Sequence, residues 1–211
     1  MEYELNDQDR ADLVKHFIKK YSTLFVVILV VIVLAAGAYR LIQNHQAKVN
    51  QNASIAYSAL LTSIQNGASA DTITTESRSL IKNYHGTVYA SLAELNLASI
   101  AVQQNHFAEA EAILKEALGQ NSHNTLKPLI TLRLARVYLA DQQPKMALSF
   151  LKAPPASFAG PYALLSGDAY LQMNEPALAK HSFETALSQS KNDPAVTQMA
   201  MERLTSLGAN S

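Results

Sequence analysis

Nineteen consecutive residues, Tyr21 to Tyr39, carry no charged side chain. An α-helix of this length is about 28 Å long, close to the ~30 Å hydrocarbon thickness of a bilayer. Residues 25–34 consist of Phe, Val, Ile and Leu on every face of that helix. A helix that is apolar all round suits lipid rather than water. The run therefore predicts a membrane-spanning helix over residues 21–39.

A cleaved signal peptide is the alternative interpretation of the same run. Ala36-Gly37-Ala38 places small residues where a signal peptidase cuts, so cleavage would follow Ala38. The twenty residues before the run argue against this, because they include five acidic side chains instead of a short basic region. We therefore expect the span to stay uncleaved.

Basic residues near the span predict its orientation. Arg10, Lys15, Lys19 and Lys20 precede it, whereas only Arg40 and then Lys48 follow closely. Cytoplasmic flanks of membrane helices are enriched in Lys and Arg. The bias predicts a cytoplasmic tail over residues 1–20 and places the domain of residues 40–211 on the other side of the cytoplasmic membrane.

The composition excludes several classes of function. The chain has 17 basic and 17 acidic residues, so it lacks the positive charge typical of nucleic-acid binding. It contains no cysteine, which excludes disulfides, thiolate zinc sites and cysteine nucleophiles. It also has no Trp and only seven Gly, which favours packed helices over a strand-rich fold.

Three segments of the remaining chain share a repeated pattern. Each has a small residue, then a turn, then an alanine followed four residues later by a large apolar side chain. The alanines at 110, 147 and 179 are 37 and 32 residues apart, near the 34 of tetratricopeptide repeats. The pattern predicts an all-α fold: one transmembrane helix, a tetratricopeptide-like solenoid of about three to four helical hairpins, and a capping helix. The matched positions are Ala98, Ala135 and Gly167; Ala110, Ala147 and Ala179; and Leu114, Leu151 and Phe183.

The same pattern predicts the boundaries of these hairpins. A degenerate hairpin covers residues 46–83, three repeats cover about 91–122, 128–156 and 160–191, and the cap covers 195–207. We expect Asn105, Asp141 and Asn174 to cap the helices that follow them. In the capping helix, we expect Val196, Met199 and Leu204 to face inward.

Four stretches of the chain also resemble a known family. They are LVKHFIKKYSTL, AYRLIQNHQ, NYHGTVYASLAELNLA and LKPLITLRLARVYLA. Together with the single early span and the repeats, they resemble the YfgM-like family of ancillary SecYEG translocon subunits. The resemblance implies a periplasmic domain tethered beside SecYEG and associated with a PpiD-like membrane-anchored periplasmic chaperone.

No motif indicates catalysis, a cofactor or a bound metal. The sequence contains no P-loop, no G-x-S-x-G and no G-x-G-x-x-G, and no two of its six histidines are spaced i, i+4. We therefore expect a non-enzymatic protein without cofactors, small-molecule substrates or nucleic-acid partners.

The first helix of each hairpin lines the concave groove of a repeat array. Arg133 and Arg136 lie on one face at i, i+3 and are suited to a carboxylate or a backbone carbonyl. Alternatively, they pair with Asp168 or stay solvated. The outward-facing positions predict a protein-binding groove formed by Asn96, Ser99, Gln103, Arg133, Arg136, Leu165, Asp168 and Gln172.

Three functions follow as hypotheses. The first is a membrane-tethered scaffold that links the Sec translocon to periplasmic chaperones and aids the handling of translocated proteins. The second is an envelope assembly factor that recruits another inner-membrane or cell-wall complex through its groove. The third, an enzyme with a site hidden in the groove, lacks any supporting motif.

Overall fold

A computed structural model of the chain describes residues 7–119, 125–190 and 192–209. Within these ranges the chain is helical and contains no β-strand, which confirms the predicted all-α class. A 3₁₀ turn, Ala156–Phe158, precedes the seventh helix. The helices are α1 (Asp7–Gln65), α2 (Ala70–Asn83), α3 (Val88–Gln103), α4 (Phe107–Gly119), α5 (Lys127–Ala140), α6 (Pro144–Phe150), α7 (Ala159–Gln172), α8 (Pro176–Gln189) and α9 (Pro194–Ala209).

The chain divides into two compact units, Met1–Val49 and Asn50–Ser211. In the first unit, the large apolar side chains of Leu24 and of residues 26–34 each expose between 47% and 67% of their surface. In the described residues, this is the one helix long and apolar enough to cross a membrane. Residues 1–6 of the predicted tail lie outside the described ranges. The predicted degenerate hairpin of residues 46–83 corresponds to the end of α1, which runs without a break to Gln65, and to α2.

Besides residues 50–65 of α1, the second unit contains helices that each contact the next along the chain, from α2 to α9. In addition, α3 contacts α5, α5 contacts α7, and α7 contacts α9. The first helices of successive hairpins therefore form one layer, as expected of a tetratricopeptide-like array. Two predicted repeat ends fall within residues 120–124 and at residue 191, outside the described ranges.

Four helices end in the same motif. In α3, the Asn105 N–H donates to the Val102 carbonyl at 3.0 Å and the His106 N–H donates to the Ala101 carbonyl at 2.8 Å. This pair of bonds is a Schellman motif, which needs a residue in the left-handed region. The same pair of bonds ends α1, α5 and α7. The left-handed residues, with φ between 57° and 72°, are Gly67, Asn105, Gln142 and Asn174.

These motifs correct the predicted helix caps. Asn105 and Asn174 end the preceding helix instead of capping the following one, and Asp141 is the C-cap residue of α5. Asn is favoured both in the left-handed conformation that ends a helix and at the N-cap that begins one. The residue type alone therefore does not distinguish the two roles. The side-chain N-caps found in the second unit include Ser69 and Thr87, whose hydroxyls accept bonds from Thr72 and Ala90.

The repeated small residues are buried where the helices pack together. Ala110, Ala147 and Ala179 are fully buried, and Ala98 and Ala135 are at most 3% exposed. A Cβ at Gly167 would lie within 2.8 Å of three atoms of the Phe183 ring. The third repeat therefore uses Gly where the others use Ala, because Phe183 fills the space that Leu114 and Leu151 leave.

Helix α9 covers the last hairpin. Val196 and Ala200 are buried against Leu164 and Phe183, and Leu204 and Leu207 pack on the same cluster. Met199 is 42% exposed, so its predicted inward position is wrong. At 100° per residue, positions 196, 200, 204 and 207 share a narrow face, and position 199 lies to one side of it.

Candidate functional site

The predicted groove residues lie on three helices that form one layer of the second unit. Asn96, Ser99 and Gln103 belong to α3, Arg133 and Arg136 to α5, and Leu165, Asp168 and Gln172 to α7. Ser99, Arg136 and Asp168 occupy equivalent repeat positions, each directly after the small residue of its helix. Their different surroundings decide which of them are available for binding.

A cleft of about 140 Å³ lies between α3 and α5. The predicted residues Ser99, Arg133 and Arg136 meet at this cleft. The remainder of its lining is apolar, so two guanidinium groups stand beside a hydrophobic floor. The floor is formed by Leu95, Ala98 and Val102 of α3, Leu114 of α4 and Val137 of α5.

The two arginines form no salt bridge with a carboxylate of the described residues. Neither Arg133 nor Arg136 forms a hydrogen bond or an ion pair with another residue in the described part of the chain. Asp168, their nearest predicted partner, instead accepts a 2.9 Å hydrogen bond from Arg203 Nε on α9. Partial burial has the largest effect on the pKa of Arg136 and lowers it, and the positive charge of Arg133 lowers it further. The negative charge of Asp168 raises this pKa, but without a hydrogen bond to Arg136. The structure therefore does not contain the alternative arrangement, in which Arg133 and Arg136 form salt bridges with Asp168.

The other predicted residues do not join this cleft. Gln172 Nε2 donates a 3.1 Å hydrogen bond to the Leu139 carbonyl and so links α7 to α5. Leu165 is only 5% exposed and belongs to the apolar core. Asn96 is partly buried and Gln103 is exposed, both on α3.

Sequence reasoning did not place four of the floor residues at the groove: Ala98, Val102, Leu114 and Val137. Ala98 and Val102 are spaced i, i+4 on α3, which signals a shared face. Leu114 comes from the neighbouring helix α4, and its part in the floor depends on the α3–α4 packing. The spacing of apolar residues along α3 and α5 was therefore a usable signal, whereas Leu114 required the tertiary structure.

The groups at the cleft are suited to binding. A guanidinium stays protonated and donates hydrogen bonds in a fixed fork, which fits a carboxylate. Across residues 7–119, 125–190 and 192–209, no three His, Asp or Glu side chains are grouped to hold a metal ion. The cleft volume is also below the ~300–1,000 Å³ typical of small-molecule pockets.

Known proteins are similar in sequence to nearly the whole chain. A profile described as a tetratricopeptide repeat-like domain matches residues 15–207. A Haemophilus influenzae protein named ancillary SecYEG translocon subunit is 30% identical over 98% of this chain and 100% of its own length. The chain belongs to this family. The Escherichia coli protein of the same name is 29% identical, over 98% of this chain and 99% of its own.

A solved structure shares the fold at lower similarity. The structure titled MamA 41-end from Desulfovibrio magneticus RS-1 has a TM-score of 0.55 at 13% identity. The match covers 74% of this chain and 93% of that one. This likeness supports the helical-repeat fold alone.

The family defines the class of protein. Its members are ancillary subunits built on a tetratricopeptide repeat-like domain, a protein-interaction fold. This chain is accordingly a non-enzymatic interaction scaffold. Because the apolar part of α1 is long enough to cross a membrane, the chain is a single-pass membrane protein.

Proposed function

We propose that this chain is an ancillary subunit of the Sec translocon that presents its repeat domain to translocated proteins and their chaperones. The observation that carries the proposal is the similarity, over nearly the full chain, to proteins named ancillary SecYEG translocon subunit. The membrane span and the repeat fold support it, because a tethered interaction domain is held at high local concentration beside its complex.

The proposed topology has three parts. Residues 1–20 lie in the cytoplasm, residues 21–39 cross the inner membrane, and residues 40–211 form the periplasmic domain. The excess of Lys and Arg before the span supports this orientation. A PpiD-like periplasmic chaperone is the proposed second partner, and the family resemblance supports it.

The proposed binding surface is the exposed face of α3 and α5. Ser99, Arg133 and Arg136 line the cleft, and exposed Gln103 extends the surface toward the end of α3. On α7, Asp168 and Gln172 hold neighbouring helices and contribute to the shape of the surface.

Affinity capture tests the proposed complex. The full chain, tagged after Ser211 and extracted in mild detergent, is expected to retain SecY, SecE and SecG, and a periplasmic chaperone. An unrelated single-span protein with the same tag is the control for membrane carry-over. Enrichment of cell-wall or outer-membrane assembly proteins without Sec subunits would favour the envelope assembly factor instead.

Reporter fusions test the topology separately. Alkaline phosphatase fused after Ser211 is expected to be active, because the enzyme folds only in the oxidising periplasm. A green fluorescent protein fused before Met1 is expected to fluoresce in the cytoplasm. An inactive alkaline phosphatase after Ser211 together with a non-fluorescent protein before Met1 would overturn the proposed orientation.

A further inference from the structure

We propose that the cleft between α3 and α5 binds a protein segment in which an Asp or Glu side chain lies beside a large apolar one. The apolar side chain enters the cleft, and the carboxylate bridges Arg133 and Arg136. This inference rests on the proposed function for the binding surface, and adds the chemistry of the segment that this surface selects.

The size and lining of the cleft set the apolar half of this specificity. Its floor is formed by Leu95, Ala98, Val102, Leu114 and Val137. Its volume of about 140 Å³ has room for one large side chain, but not for a drug-sized ligand. Anchoring one apolar side chain in such a depression is how partners commonly dock on a protein surface.

The two arginines set the charged half. Arg133 and Arg136 are one helical turn apart, on the same face and at the same cleft. The nearby carboxylate of Asp168 is held by Arg203 at 2.9 Å, so the positive charge of the pair is not neutralised by a salt bridge. An arriving carboxylate would relieve the repulsion between the guanidinium groups and accept charge-assisted hydrogen bonds.

Charge complementarity also decides against a purely apolar or a basic partner. A basic segment would add a third positive charge beside the pair, and like charges brought together at an interface are unfavourable. An apolar segment without a carboxylate would fill the floor and leave the guanidinium groups less solvated and still unpaired.

Three peptide pools test the proposal with the full chain in lipid nanodiscs. All pools carry the same mixture of Leu, Ile, Val, Phe, Ala and Ser at the flanking positions. They differ only in a central pair, which is Glu-Glu, Gln-Gln or Lys-Lys. Fluorescence polarisation is expected to show binding in the order Glu-Glu, Gln-Gln, Lys-Lys.

Variants of the arginines link this preference to the cleft. R133Q together with R136Q is expected to weaken binding of the Glu-Glu pool about 100-fold, because it removes two hydrogen bonds to a charged group and each contributes about tenfold. Charge reversal in R136E is expected to move the preference toward the Lys-Lys pool. Lys180→Gln, which removes an exposed positive charge on α8, is the matched control and is expected to change nothing.

V102S tests the apolar half, and is expected to weaken the Glu-Glu and Gln-Gln pools by a similar factor. Circular dichroism on each variant verifies that the helical fold is intact. Equal binding of the Glu-Glu and Gln-Gln pools, no binding of the Glu-Glu pool, or no effect of the arginine variants would each overturn the proposal. Sec capture is measured on the same variants, so retained capture with lost selectivity rejects this inference alone.

Discussion

Gln142 occupies a backbone position that suits another residue better. Its φ of 57° lies in the left-handed region, where the equivalent positions hold Gly67, Asn105 and Asn174. A side chain with a Cβ costs about 1–2 kcal/mol in this region, and glycine loses ~0.5–1 kcal/mol more conformational entropy on folding. We therefore expect Gln142→Gly to stabilise the protein by about 0.5–1 kcal/mol in urea unfolding.

The neighbouring residue supplies the control for this prediction. Gln143 has an ordinary φ of −111° and the same side chain. Gln143→Gly gains no relief of strain and is expected to destabilise the protein slightly. Equal effects of the two substitutions would mean that the left-handed turn after α5 stores no strain.

The Glu111 carboxylate is held by two hydrogen bonds, which link the stability of the protein to pH. Its Oε1 accepts hydrogen bonds from Lys115 Nζ at 2.6 Å and from the Tyr138 hydroxyl at 2.9 Å. The hydrogen bond from Lys115 has the largest effect and lowers the pKa of Glu111; burial opposes it, and the weaker influence of the Tyr138 bond lowers the pKa further. A carboxylate with a lowered pKa contributes stability that is present above its ordinary pKa of about 4.3 and lost as the pH falls through the lowered value.

We expect the wild-type protein to lose stability in that acidic range more steeply than Glu111→Gln does. The variant has no charge to neutralise at this site, so its unfolding free energy changes less with pH. Thermal unfolding is measured from neutral pH to well below the ordinary glutamate pKa of about 4.3, where this difference is expected. Glu116→Gln, an exposed change on the same helix, is the control and is expected to follow the wild type.

At the scale of the helices, repetition made the fold predictable. Ala110, Ala147 and Ala179 recur with the same neighbours, and all three are buried. The ends of helices were harder to predict, because Asn105 and Asn174 are of a type that serves both caps and left-handed turns. The candidate site was predictable in part. The arginines follow from their spacing, but the core position of Leu165 and the capture of Asp168 by Arg203 depend on tertiary packing.

Helix α9 offers a test of its observed packing. Val196 is 8% exposed and Met199 is 42% exposed. Val196→Ser is expected to cost about 1.5–3 kcal/mol, the value of burying a valine side chain. Met199→Ser is expected to stay within about 0.5 kcal/mol of the wild type, as exposed substitutions do. Chemical unfolding measures both, and the reverse order would mean that α9 packs through the face containing Met199.

For the whole molecule, the anchor and the repeat domain are expected to have separable tasks. The span contains no pair of small residues four positions apart of the kind that packs membrane helices closely. Recognition is therefore expected to reside in the repeat domain, and the anchor is expected to raise the local concentration of that domain. A tether can increase occupancy by about 10²–10⁴ without adding a contact.

Two chimaeras separate these tasks. A run of leucines replacing residues 21–39, with the flanking basic residues kept, is expected to preserve Sec capture because length and orientation are unchanged. A cleavable signal peptide in place of residues 1–39 releases the domain, and is expected to lower capture by about 10² or more through loss of the tether. Circular dichroism and matched expression levels show that both chimaeras are folded and present. Lost capture with the leucine span alone would place the recognition within the native span, since only its side chains differ.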